Sequence, residues 1–170
     1  GQMRFMPTGG VNEKNLCQYL ACDKIVACGG SWMVKPELIE AGDFARIEEL
    51  TRSAVNLMLG FEIRHIGIHG TNADEGLATA KRFSLLFGWP LNPGSGACFV
   101  GNCVESLYSR GRGTNGHIAV ATNNVARAMA HLRDLGVGFA EDSISMKDGK
   151  PTVAYLKEEI GGFAVHLIQK

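Results

Sequence analysis

The sequence predicts an α/β protein of the α+β kind, with two tandem βαβββ repeats over residues 61–170 preceded by a β-α-β-α segment over residues 1–60. Three observations point there. Arg64-His65-Ile66-Gly67-Ile68 is echoed 52 positions later by Gly116-His117-Ile118-Ala119-Val120, and self-similarity at a fixed period marks a repeated structural unit. Each echo is followed by a polar turn, a one-sided apolar helix and a run of short strands. Finally, 170 residues accommodate one domain of roughly 100–150 residues and one smaller dependent piece.

Taken in chain order, 3–8 and 25–29 are apolar strands of the sort buried on both faces in a parallel sheet, and 12–21 reads as a helix. A further helix at 43–58 is marked by Asp43 as N-cap and by Phe44, Ile47, Leu50, Ala54 and Leu57 on one side. Two strands and two helices cannot close a barrel, so the strand edges at 3–6 and 25–28 need covering. A homodimer or larger assembly is therefore expected.

In the first repeat, strand 63–69 leads to a helix with Leu77, Ala80, Phe83 and Phe87 on one face, stopped at Gly88. A weakly marked strand near Leu91 follows, then strands 97–102 and 103–109. In the second, strand 116–121 leads to a helix with Val125, Met129, Leu132 and Leu135, stopped at Gly136, and then to strands 138–145, 152–158 and 163–169. Pro93-Gly94, Asp148-Gly149 and Gly161-Gly162 supply the turns.

Strand alternation places Ile63, His65, Gly67 and His69 on one face, opposite Arg64, Ile66 and Ile68. The same parity groups His117 with Ala119 and Ala121, Glu105 with Cys103 and Leu107, and His166 with Ala164 and Ile168. With the isoleucines under the helix, the histidines face the open side, where small neighbours leave room for a ligand. His65, Glu105, His117 and His166 then form a set of three imidazoles and one carboxylate, suited to one divalent transition metal: Zn, Ni, Fe, Co or Mn. His69 is a candidate for a supporting or substrate-binding role, and His131 for the solvated helix surface.

Seventeen basic residues balance 17 acidic ones, and no basic cluster suits phosphate backbones or anionic lipid, so neither nucleic acid nor membrane is an expected partner. No apolar run approaches the roughly 20 residues of a membrane helix. Five cysteines without C-x-x-C spacing read as buried thiols in a reducing, cytoplasmic setting.

The stretch from Phe61 to Lys170 resembles the glyoxalase/bleomycin-resistance/dioxygenase class, the vicinal oxygen chelate superfamily. That resemblance implies paired βαβββ modules curled into a cup, with metal ligands on the first and last strand of each module. Carried over, the ligands fall on His65 in H-I-G-I, Glu105 in V-E-S-L, His117 in G-H-I-A-V and His166 in V-H-L-I. The glyoxalase pattern typically has Glu at the last position; His166 keeps a ligand but removes one negative charge and a possible base. Glu105 is then the remaining candidate for proton transfer.

Residues 4–11, Arg-Phe-Met-Pro-Thr-Gly-Gly-Val, and 27–34, Ala-Cys-Gly-Gly-Ser-Trp-Met-Val, together resemble the last two strand–loop units of 2-keto-3-deoxy-6-phosphogluconate (KDPG/KHG) aldolase. The resemblance implies that Gly9, Gly10, Gly29, Gly30 and Ser31 hold a substrate phosphate through backbone N–H groups. In that family the Schiff-base lysine and acid/base glutamate lie on earlier strands; Lys14, Lys24 and Lys35 sit in helices or turns, so aldol chemistry by this chain alone is not expected. The resulting expectation is a metal-dependent lyase or isomerase of the glyoxalase type, acting on or binding a small 2-oxo or sugar-acid metabolite and fused to an aldolase remnant. Two alternatives stand beside it: a non-catalytic ligand-binding or regulatory module, and a fragment of a bifunctional aldolase whose lyase activity needs upstream residues.

Overall fold

The computed structural model describes residues 3–170. The chain divides into two compact units, Gly1–Gly60 and Phe61–Lys170.

In the N-terminal unit the helices are α1 (Leu16–Leu20), α2 (Pro36–Glu40) and α3 (Phe44–Leu59). The two expected strands contract to one parallel bridge, Phe5 to Ile25. Around it Phe5 N–H donates to Lys24 O (2.8 Å), Val26 N–H to Phe5 O (3.1 Å) and Gly29 N–H to Pro7 O (2.9 Å). A two-stranded pair with no third partner is marginal. Helix α1 is shorter than the expected 12–21 because two asparagines compete for the local backbone. Asn12 Oδ1 accepts from Lys14 N–H, Asn15 Oδ1 accepts from Asn12 N–H, and both amide groups donate to Gly10 O. Helix α2, which periodicity does not reveal, starts with Pro36 in its first turn, where the missing N–H is harmless.

Asp43 caps α3 as expected, accepting from Arg46 N–H at 3.1 Å, and Gly60 ends it at φ 58°. Ala54 packs with Val11 and Leu16, ringed by Tyr19, Leu20, Trp32 and Met58. Two members of the expected stripe lie outside it: Phe44 is 65% and Leu57 38% exposed. Met58, one residue and about 100° around the helix, takes the place assigned to Leu57.

The C-terminal unit contains β1 (Glu62–Ile68), α4 (Ala73–Phe87), β2 (Leu91–Pro93), β3 (Ala97–Val100) and β4 (Val104–Leu107), then β5 (His117–Thr122), α5 (Val125–Asp134), β6 (Ser145–Lys147), β7 (Lys150–Tyr155) and β8 (Ala164–Gln169). They form one eight-stranded sheet in the order β2-β3-β4-β1-β5-β8-β7-β6. Within each module the first and last strands run parallel, β1 with β4 and β5 with β8, and the modules join through the antiparallel pair β1–β5. This is the paired βαβββ arrangement expected from the repeat.

Both long helices start on an asparagine. Asn72 Oδ1 accepts from Glu75 N–H and Asn124 Oδ1 from Arg127 N–H, each at 2.9 Å, satisfying donors that the helix leaves open. The Glu75 carboxylate reaches back one residue beyond the cap and accepts from Thr71 N–H at 2.7 Å. On the outer face of the first module α4 lays Ala80 on Cys98, Val100 and Val104, with Ile68, Leu77 and Phe83 around them. Phe87 and Leu135 at the helix ends are instead 57% and 67% exposed.

Two local departures matter. The expected strand 138–145 is interrupted by a 3-10 turn, Glu141–Ser143, leaving a bridge from Phe139 to Leu156 and the short β6. Ser143 causes the break by donating its hydroxyl to Ala140 O (2.5 Å) and accepting from Tyr155 N–H (3.0 Å). In β1 a bulge at Arg64 shifts the register between Ile63 and His65. Strict alternation therefore fails there: Ile63 pairs with Val120 while His65 pairs with Ala119, so Ile63 lies on the face opposite His65. Nor are the cysteines uniformly buried, since Cys22 and Cys103 are exposed.

Candidate metal centre

Directly paired residues on neighbouring strands share a sheet face. One row runs Phe99, Glu105, Gly67, His117, Ala164 across β3, β4, β1, β5 and β8. A second runs His65, Ala119, His166, Tyr155 across β1, β5, β8 and β7. Since His65 and Gly67 are two residues apart on one strand, both rows occupy the same face. All four sequence-derived ligand candidates therefore share one face, from the first and last strands of both modules: the three histidines cluster, and Glu105 touches two of them.

The contacts are close. Glu105 Oε2 lies 3.2 Å from His65 Nε2 and 3.0 Å from His117 Nε2, and the two nitrogens are 3.2 Å apart. Ring nitrogens of His65, His117 and His166 all fall within 4.8 Å of one another, and the three imidazoles are 7%, 4% and 5% exposed. The Nδ1–H of His166 faces Leu167 O at 3.4 Å. Its buried Nε2 has no hydrogen-bond partner among the described residues.

The small residue at Gly67 has a different use from the one expected. A Cβ there would stand 2.0 Å from His117 Cε1, so the gap is filled by the His117 ring rather than held open for a ligand. Flanking aromatics fix the remaining rings. Phe99 meets His65 edge-on (5.4 Å, 87°), and Tyr155 stacks on His166 (4.5 Å, 24°).

The hydrogen bonds from His117 and His65 hold the Glu105 carboxyl down at about 2, so it is ionised and a poor proton acceptor at neutral pH. Burial, reinforced by the charges of His117 and His65, pushes His166 down to about 4, leaving a neutral imidazole. Burial and the Glu105 charge raise the Tyr155 hydroxyl, against a smaller opposing effect of Arg112.

The donor set fits a divalent transition metal. Bonds of about 2.0–2.2 Å to nitrogen and oxygen place ligand atoms roughly 3 Å apart, the spacing seen between Glu105, His65 and His117. If each Nε2 donated to Glu105, two N–H groups would crowd onto one carboxylate oxygen with their nitrogens 3.2 Å apart; a cation would remove that crowding. Such an ion would also offer a partner to the orphaned His166 Nε2, since the three histidines bring ring nitrogens within 4.8 Å of one another. His69 stands outside this cluster, its Nε2 3.2 Å from Arg112 O, and His131 is half-buried on α5.

Tyr155, Phe99 and Arg112 are site neighbours that sequence reasoning missed. Tyr155 and Phe99 follow from cross-strand register, which is not written in either strand alone. Arg112 carried a weak local signal, the glycine-rich loop Arg110-Gly111-Arg112-Gly113.

In the N-terminal unit, the Phe5–Ile25 bridge lays the loop bearing Gly9 and Gly10 beside that bearing Gly29, Gly30 and Ser31, joined by the bond from Gly29 N–H to Pro7 O. Gly10 has φ 69°, and a Cβ on Gly30 would strike the Trp32 ring at 1.6 Å. Backbone conformation at Gly10 and packing at Gly30 each favour glycine.

Residues 1–50 match the family described as KDPG and KHG aldolase. The 2-dehydro-3-deoxy-phosphogluconate aldolase of Treponema pallidum is 43% identical over 56 residues, covering 33% of this chain and 27% of that protein. The chain spans about a quarter of the length of the curated relatives it matches. Among solved structures, a Streptomyces coelicolor methylmalonyl-CoA epimerase in complex with 2-nitronate-propionyl-CoA is 21% identical with a TM-score of 0.45, covering 64% of this chain and 96% of that one. The epimerase of Mycobacterium tuberculosis is 13% identical with a TM-score of 0.48, covering 66% and 89%. In sequence, then, residues 1–50 match the KDPG and KHG aldolases, and residues 61–170 build one eight-stranded sheet from two βαβββ modules.

Proposed function

We propose that residues 61–170 are a metal-carrying glyoxalase-like domain that binds or transforms a small 2-oxo or sugar-acid metabolite, and that residues 1–60 are an aldolase-derived segment attached to it. The observation that carries this reading is the convergence of His65, Glu105, His117 and His166, with the buried His166 Nε2 left unpartnered. A bound divalent ion would act as a Lewis acid on a substrate oxygen. Glu105, His65, His117 and His166 would hold it, while Phe99 and Tyr155 keep the rings in place.

The depressed Glu105 and neutral His166 suit ligands better than a proton-abstracting base. This favours the non-catalytic binding module as the second reading. Self-association belongs to the same proposal, because Met3, Phe5, Met6 and Val26 are 71%, 50%, 58% and 50% exposed. Light scattering at two protein concentrations tests it, and a mass that stays monomeric at both removes it.

The decisive measurement is elemental analysis of tag-free protein beside His65→Ala and His166→Ala. About one equivalent of transition metal per chain, lost in both variants, is the expected result. Protein that stays metal-free after reconstitution overturns the reading.

A further inference from the structure

Arg112 lies in the loop between β4 and β5 and is held from three directions. Its carbonyl meets His69 Nε2 at 3.2 Å, its guanidinium lies 5.4 Å over the Tyr155 ring, and one amino group pairs with Asp142 Oδ2 at 2.5 Å. The loop is shaped for this. Gly113 has φ 91°, and a Cβ there would lie 1.9 Å from Gly116 O. Tyr155 in turn stacks on His166, so a fixed positive charge stands one aromatic ring away from the ligand cluster.

Stability is a weak reason for such an arrangement. The Arg112 and Asp142 side chains are 45% and 74% exposed, and ion pairs of that kind contribute about 0–1 kcal/mol. The guanidinium carries five donors in a planar fork, and Asp142 engages one amino group.

We propose that Arg112 is a specificity-determining residue, recognising a carboxylate carried on the ligand at a distance from the oxygens that meet the histidine–glutamate centre. The ligand class is accordingly a chelating 2-oxo acid with a second, remote carboxylate. This inference rests on the metal-centre reading above. Tyr155 supplies the apolar floor between the two recognition points, and Asp142 holds one amino group of the guanidinium.

The test uses the full chain loaded with Co2+ and two probes sharing one chelating head, 2-oxoglutarate with a remote carboxylate and 2-oxobutyrate without one. Both are titrated by calorimetry and by the visible absorption of the cobalt. Wild-type protein is expected to bind 2-oxoglutarate about tenfold or more tightly than 2-oxobutyrate, as a charge-assisted fork contact implies. Arg112→Gln should bring the two affinities together through loss of 2-oxoglutarate binding alone, with cobalt content and melting temperature retained, and Arg112→Lys should restore part of the gap. Equal affinities in wild type, or a gap that survives Arg112→Gln, overturn the assignment and leave the metal centre standing. A wild-type protein that takes up no cobalt, or whose cobalt spectrum responds to neither acid, overturns both.

Discussion

At residue scale, His166 links burial to stability. Its folded value of about 4 lies below the ordinary 6.5, so the folded chain binds fewer protons than the unfolded one between those limits. The stabilisation is complete above pH 6.5 and is lost as pH falls toward 4, amounting to on the order of 3 kcal/mol. Glu105, depressed from 4.5 to about 2, adds a second loss at pH below 4.5. Chelator-treated protein should therefore show urea midpoints that fall steadily from pH 7 to pH 4.5; a flat profile would contradict a buried neutral imidazole. Gly67 offers a complementary check. In Gly67→Ala the new methyl meets His117 Cε1 at 2.0 Å, and overpacking of this kind costs about 1–3 kcal/mol. Thermal melts and metal analysis should show lowered stability together with metal affinity reduced tenfold or more, and retention of both would mean that His117 does not occupy that gap.

At the scale of the element, the junction of α4 with β4 depends on Gly76. A Cβ there would lie 2.5 Å from Leu107 O, and Ser106 Oγ donates to Gly76 O at 2.8 Å across the same contact. Alanine is favoured over glycine inside a helix by about 1 kcal/mol, whereas the close approach to a carbonyl works against it by about 1–3 kcal/mol. Gly76→Ala is thus expected to lower stability in chemical unfolding, and a gain would show that α4 can lift without loss. The bulge at Arg64 is the other element-scale device. It keeps Ile63 on the face of Val120 while turning His65 toward Glu105, a reversal of parity that strict alternation along β1 does not contain.

For the whole molecule, the division at Gly60–Phe61 separates a unit whose described residues form one strand bridge, three α-helices and a 3-10 turn from one built on a continuous sheet. Residues 61–170 enclose all four ligand candidates and their aromatic supports. Expressed alone, this unit is expected to unfold in one cooperative transition whose midpoint rises with added transition metal. Loss of cooperativity or of the metal response would show that the N-terminal residues complete it. Among the described residues no helix is long and apolar enough to cross a membrane.

The sequence by itself determined the repeat, the two one-sided helices with their terminal glycines, and the ligand candidates His65, Glu105, His117 and His166, because period, stop signals and residue chemistry are local properties. Only the tertiary structure decided the bulge in β1, the stacking of Tyr155 on His166, the use of Gly67 as a seat for His117 and the placing of Arg112 over Tyr155. Each of those depends on register between strands far apart in the chain, or on competition from a neighbouring side chain. The strands expected at 3–8 and 25–29 contracted for a different reason, the lack of a third strand beside them among the described residues. Their apolar residues record a preference for burial in a sheet, but a strand is completed by its neighbours, and among the described residues of this unit each pairs with the other alone.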